Sequence, residues 1–124
     1  MSNKADIKEV VIDGETYVPK ASQREMASSD GMEFVIIRAL DSGVHAGYLV
    51  SRDGSEVKLA DSIRIWYWSG AATLSQLAMD GPANPNECKS AMSLPEITVL
   101  GVCEVIPCTE KAKIAIEGVT AWKV

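Results

Sequence analysis

A chain of 124 residues, 47% of them hydrophobic and 23% charged, holds enough apolar side chain for one core and too little for two. Its formal net charge of −5, from 12 basic and 17 acidic residues, excludes a broad basic face, and with it unspecific attraction to nucleic acid or an anionic membrane, while leaving room for a local small-anion pocket. No apolar run reaches the roughly 18 residues that cross a bilayer, the start from Met1 to Lys8 is polar, and the three cysteines, Cys88, Cys103 and Cys108, are an odd number, so a cytoplasmic, non-membrane protein with reduced thiols is expected.

In chain order, residues 9 to 18 hold two short β-branched and aromatic runs around Asp13-Gly14, a pair that favours the tight turn of a hairpin. Two isolated strands are marginal in water, so this hairpin (residues 1–19) is expected to dock as an appendage on its own domain, another subunit or a partner. Residues 20–32 are small and polar without a sustained period, which predicts a linker. The compact domain is expected over 33–124.

That domain opens as a meander. Phe34 to Leu40, Val44 to Ser51, Glu56 to Leu59 and Ile63 to Trp68 are separated by Asp41-Ser42-Gly43, Asp53-Gly54 and Asp61-Ser62, a spacing that predicts antiparallel strands joined by tight turns. Ser69 is positioned to cap a helix over 70–79 that stops at Gly81-Pro82. A loop follows to Lys89. Pro95 to Pro107 reads as a strand pair, or one strand bent at Gly101. Thr109 is a cap for a last helix, Glu110 to Glu117, and Val119 to Val124 is expected as a terminal strand anchored by Trp122. The expected fold is α+β, mainly an antiparallel β meander with two short helices.

The densest chemical feature is Ile65-Trp66-Tyr67-Trp68. Strand alternation puts Arg64, Trp66 and Trp68 on one face and Ile63, Ile65 and Tyr67 on the other. A guanidinium beside indoles suits a planar anion such as a nucleotide, through stacking and charge-assisted hydrogen bonds; the same residues also suit a core face backed by a subunit interface. Arg38 shares its predicted face with Phe34, Ile36 and Leu40, so it needs an acid, a phosphate or a strand end, and it could converge with Arg64. His45 is the single histidine, flanked by small residues that allow close backbone or ligand approach. Its alternatives are a ligand contact and a hydrogen-bonded structural histidine, since no nucleophile or orienting group for general-base chemistry is identifiable. Ser69-Gly70-Ala71 offers free N–H groups near Arg64. The cysteines and His45 lack the close ligand pairs of a zinc site, and no metal or cofactor is expected.

The stretch Arg64 to Ala78, with Val44-His45-Ala46-Gly47 before it and Val105 to Ala112 after it, resembles a family of small phage and prophage proteins labelled as of unknown function, over about residues 33–124. The segment Ile12 to Lys20 is similar to one found ahead of many unrelated phage proteins. In the order of meander, short helix and terminal elements the chain also resembles phage sponge proteins that sequester the nucleotide signals of bacterial immune systems such as Thoeris, a likeness of layout that carries over no binding residue. These resemblances imply a non-enzymatic phage protein in the host cytoplasm. Combined with the residue chemistry above, the expectation is a homo-oligomer capturing a cyclic nucleotide or cyclic ADP-ribose-type anion near Arg38, His45, Arg64, Trp66, Trp68 and Ser69. The alternative expectation is an interaction module that binds a host protein through its tryptophan face.

Overall fold

The computed structural model of the protein describes residues 10–12, 15–17 and 25–122. The fold is α+β, a curled antiparallel sheet with two short helices, as the meander pattern predicts. At the N-terminus β1 (Val10–Ile12) pairs antiparallel with β2 (Glu15–Tyr17) in the register Val10↔Tyr17. The Asp13-Gly14 turn and the docking of this hairpin lie outside the described residues.

The second half of the stretch expected as a linker is part of the domain. β3 (Ser28–Ser29) pairs with the start of β4 (Met32–Ala39). Ala27 is buried, donating its N–H to the Cys108 carbonyl at 2.9 Å and accepting from Phe34 N–H at 2.9 Å. Polar composition masked this, because the segment is held by backbone hydrogen bonds and a single small apolar residue.

β4 then pairs with β5 (Gly43–Asp53), and β5 with β6 (Glu56–Tyr67). The two strands expected at 56–59 and 63–68 are one, because Asp61-Ser62 forms a bulge and not a turn. Gly47 faces the two-residue step on β6, and Asp61 takes a left-handed φ of 49°. A Cβ on Gly47 would lie 3.0 Å from both the Ala60 carbonyl oxygen and Ser62 Cα, so only glycine admits the approach. The extra residue inverts the alternation of β6. Before it, Val57 and Leu59 face one side of the sheet; after it, Ile63 and Ile65 face the other.

Beyond β6 come α1 (Leu74–Asp80), a 3₁₀ turn (Pro85–Glu87), β7 (Lys89–Ser90), β8 (Leu94–Val99), β9 (Val102–Pro107) and α2 (Glu110–Glu117). Although β8 and β9 are separated only by Leu100-Gly101, they join opposite sides of the sheet, β8 pairing with β6 and β9 with β4. This connection curls the sheet into a half-barrel. Its concave face buries Val35, Ile37, Ala39, Val57, Leu59 and Val99. The opposite face packs Phe34, Ile36, Ala46 and Ile65 against Leu77 and Ala78 of α1 and Ala112 and Ile116 of α2.

Both helices are explained by their caps. α2 starts at Thr109, whose Oγ1 accepts from Ala112 N–H at 3.1 Å, and is capped by Gly118, as the sequence predicts. α1 starts later than expected. Its cap is Thr73 rather than Ser69: Thr73 Oγ1 accepts from Gln76 N–H at 3.1 Å while Gln76 Oε1 accepts from Ala72 N–H at 2.8 Å, a reciprocal arrangement close to a capping box. The expected terminal strand is reduced, among the described residues, to one parallel bridge, Ser90↔Ala121, and a 2.9 Å bond from Trp122 N–H to the Ser90 carbonyl. No helix among the described residues is long and apolar enough to cross a membrane.

Candidate functional site: a tryptophan groove at the end of the sheet

Where β6 runs out beside the β4–β5 turn, a groove of about 800 Å³ opens. One rim is the turn itself, Asp41-Ser42-Gly43 and then Val44; the other is Arg64, Ile65, Trp66 and Trp68, with Ala91 and Trp122 closing the side. The register Val44↔Ile65 brings the two rims together. All three tryptophans of the chain line this groove. Trp66 and Trp122 meet edge to face, centroids 6.1 Å apart at 86°, and remain 48% and 68% exposed. Two largely exposed indoles held in an aromatic contact present π faces and edges to solvent, an arrangement with a hydrophobic payload left uncovered.

Arg64 is held in place by one bond, Nε–H to the Ser42 carbonyl at 3.0 Å. That bond ties the guanidinium to the Asp41-Ser42-Gly43 turn. Asp41, next to Ser42 in that turn, adds an acceptor, so the groove's polar groups gather at the turn beside the tryptophans.

The sequence-predicted residues fall in different places. Arg64, Trp66 and Trp68 line the groove as expected, although Trp68 does so differently from the alternation argument: it lies one residue past the end of β6 and its body packs on the helix-side core. Arg38 does not line it. The register Arg38↔Val44↔Ile65 puts Arg38 in the row of Ile65, on the face opposite Arg64, so the two arginines do not converge. Arg38 sits at an exposed strand end, with Nε 3.1 Å from Glu104 Oε1 directly across on β9.

Ser69 is also engaged elsewhere. Its N–H donates to Cys88 Sγ at 3.4 Å, its hydroxyl donates to Glu87 Oε1 at 3.2 Å and accepts from Asn84 Nδ2 at 3.1 Å. The loop after α1 thereby clasps the residue that was expected to cradle an anion. Cys88 and Cys108 are buried free thiols and Cys103 an exposed one, and no cluster of three metal-ligating side chains occurs among the described residues.

His45 lies behind the groove and not in it. Cross-strand from Arg64, it is 2% exposed and bonds through Nε2 to Ser42 Oγ at 3.0 Å. Burial lowers its pKa from the ordinary 6.5, the Arg64 charge lowers it further, and the contact with Ser42 opposes both, so the ring is neutral at pH 7. Trp122 and the Asp41-Ser42 turn were missed as groove residues. The turn follows once the β5–β6 register is known; the return of the C-terminal segment along β7 has no local signature.

The family described as "Domain of unknown function (DUF6948)" matches residues 32–116. The chain belongs to this family. Within the DUF6948 span lie strands β4 to β9, α1, all but the last residue of α2 and every groove residue except Trp122, which follows the matched region. No curated protein and no solved structure matches the chain.

Proposed function

We propose that this DUF6948 protein is a non-enzymatic binding protein that captures a planar, anionic small molecule of the nucleotide class in the tryptophan groove. The observation that supports this is the convergence of all three tryptophans with the Arg64 guanidinium on one groove of about 800 Å³. Indole faces take an aromatic base by stacking, a guanidinium takes phosphate oxygens through charge-assisted hydrogen bonds, and Asp41 accepts from an exocyclic amine. In its finer form, resting on the likeness of layout to phage sponge proteins, the ligand is a cyclic nucleotide or cyclic ADP-ribose-type immune signal. The protein would then be a phage-encoded homo-oligomer acting in the host cytoplasm.

Because every tryptophan lines the groove, intrinsic fluorescence reports on this site directly. Titration with linear nucleotides, cyclic nucleotides and ADP-ribose derivatives is expected to quench it saturably for one class and to raise the melting temperature. Arg64→Ala should weaken that binding by about 1.5–3 kcal/mol, the range for a hydrogen bond to a charged group, without changing the circular dichroism spectrum. Unchanged affinity in both Arg64→Ala and Trp66→Ala would remove the groove as the site.

A second reading is favoured by the exposure of Trp66, Tyr67 and Trp122, with Met92 and Leu94 also exposed at a neighbouring cavity that shares Arg64 and Ala91 with the groove. This apolar surface suits a protein partner. It separates from the first through Tyr67, which does not line the groove: Tyr67→Ala should abolish capture of a protein partner and leave nucleotide affinity intact.

A further inference from the structure

A second cavity, of about 270 Å³, shares Arg64 and Ala91 with the tryptophan groove. Its polar side is His45, Ser62 and Arg64; its apolar side is Met92, Leu94 and Ile97. His45 and Ser62 are each 2% exposed. They sit here because the bulge at Asp61 turns Ser62 and Arg64 onto the concave side of the sheet, opposite Leu94 and His45 respectively. Among the described residues, His45 Nδ1 is the one buried side-chain nitrogen or oxygen without a hydrogen-bond partner. A buried polar atom left unpaired is costly and calls for a physical cause. His45 Nε2 is already engaged by Ser42 on the groove side.

We propose that this cavity is a binding subsite for a short-chain aliphatic carboxylate. The carboxylate oxygens accept from Arg64 and from His45 Nδ1–H, and the alkyl end lies against Met92, Leu94 and Ile97. In that state His45 carries its proton on Nδ1, and Nε2 accepts from the Ser42 hydroxyl, so both ring nitrogens are satisfied. The cation and the buried donor select the carboxylate, and the apolar wall selects its alkyl chain over inorganic anions. Since Ser42 and Arg64 also line the tryptophan groove, occupation of one cavity is felt at the other.

The chain has one histidine, so its imidazole resonances report on this cavity without assignment by mutagenesis. Sodium butyrate is titrated into the full ¹⁵N-labelled chain, with butanol and inorganic phosphate as comparison probes. The expected result is a saturable shift of the ring nitrogens with a Kd on the order of 1 mM. Nδ1 should be protonated at saturation, and butanol and phosphate should each bind at least about tenfold more weakly, the factor that one charged contact or one buried alkyl group supplies. Ile97→Phe, which fills the apolar side, and Arg64→Gln should each remove the shift; Arg64 is exposed, so its variant stays informative if the first misfolds. Arg38→Gln should leave it unchanged. No saturable shift in the wild-type chain, a shift retained in Arg64→Gln, or equal binding of phosphate would each overturn the proposal. Failure here is distinct from failure of the nucleotide reading, because Trp66→Ala is expected to abolish fluorescence quenching by nucleotide and to leave the butyrate shift in place.

Discussion

The residue with the sharpest physical constraint is His45. Its ring is buried, neutral and next to a guanidinium, so the folded chain takes up its imidazole proton only at lower pH than the unfolded chain does. Between the lowered value and the ordinary 6.5 the unfolded state holds more protons. Stability therefore falls as pH falls through that window and is flat above it with respect to this group. Urea denaturation at pH 5 and pH 7.5 should show a larger loss for the wild-type chain than for His45→Gln, which keeps a polar group near Ser42 but does not titrate; equal losses would mean that the ring is protonated without cost. The cysteines give a second contrast. Burial pushes the Cys108 thiol up to about 12, whereas Cys103 is exposed and donates weakly to the Arg38 carbonyl at 3.3 Å. Iodoacetamide under native conditions should modify Cys103 first and reach Cys108 only on unfolding, since the thiolate is the reactive form; peptide mass mapping reads the order.

Among the elements, the helices were legible where a cap and a stop stand in the sequence. Thr109 and Gly118 bracket α2 as expected, but Ser69 stands in front of Thr73 and offers the same cap chemistry four residues early. What decided between them was Gln76, which completes the reciprocal pair with the Thr73 region. Thr73→Ala should accordingly cost about 1 kcal/mol in urea denaturation, and Ser69→Ala should not change the extent of α1. Gly81 carries a larger constraint. It ends α1 at φ 76°, and a Cβ there would lie 2.8 Å from Ala115 Cβ and 3.1 Å from Ala112 Cα of α2. Gly81→Ala should destabilise by roughly 1–3 kcal/mol, because it combines a strained backbone with overpacking at the contact between helices. A loss of only a few tenths would show that α2 moves away without penalty. The sheet was less legible at Asp61-Ser62, a turn-like pair that the structure uses as a bulge inside a single strand. Gly47, thirteen residues earlier in sequence than Ala60, is what admits that bulge, and such a pairing has no local signal.

At the scale of the whole molecule, the α+β class and most strand positions follow from composition and alternation, while the curl does not. It depends on β8 and β9 parting to opposite sides of the sheet after a two-residue connection, where short connections ordinarily make hairpins. The concave apolar row of β4 and β6 explains the choice: Val99 and Ile97 cover one end of it and Val102 and Val105 the other. For the same reason only half of the candidate site was readable. Arg64, Trp66 and Trp68 are neighbours in sequence, but Trp122 and the Asp41-Ser42 turn arrive through the topology. The N-terminal edge of the domain provides the test at this scale. Residues 25–29 lie ahead of the family match yet are built into the fold: Ala27 bonds Cys108 and Phe34, Glu110 N–H donates to the Glu25 carbonyl at 2.7 Å, and Met26 bridges Thr109 at the cap of α2. A chain beginning at Glu33 loses these bonds and uncovers Phe34 and the start of α2, whereas a chain beginning at Glu25 keeps them. The shorter chain should be less stable by roughly 2–4 kcal/mol, from several net hydrogen bonds and the buried Ala27 methyl. Equal midpoints in urea for the two chains would place the true edge of the domain at β4 and reduce residues 25–29 to an adherent segment.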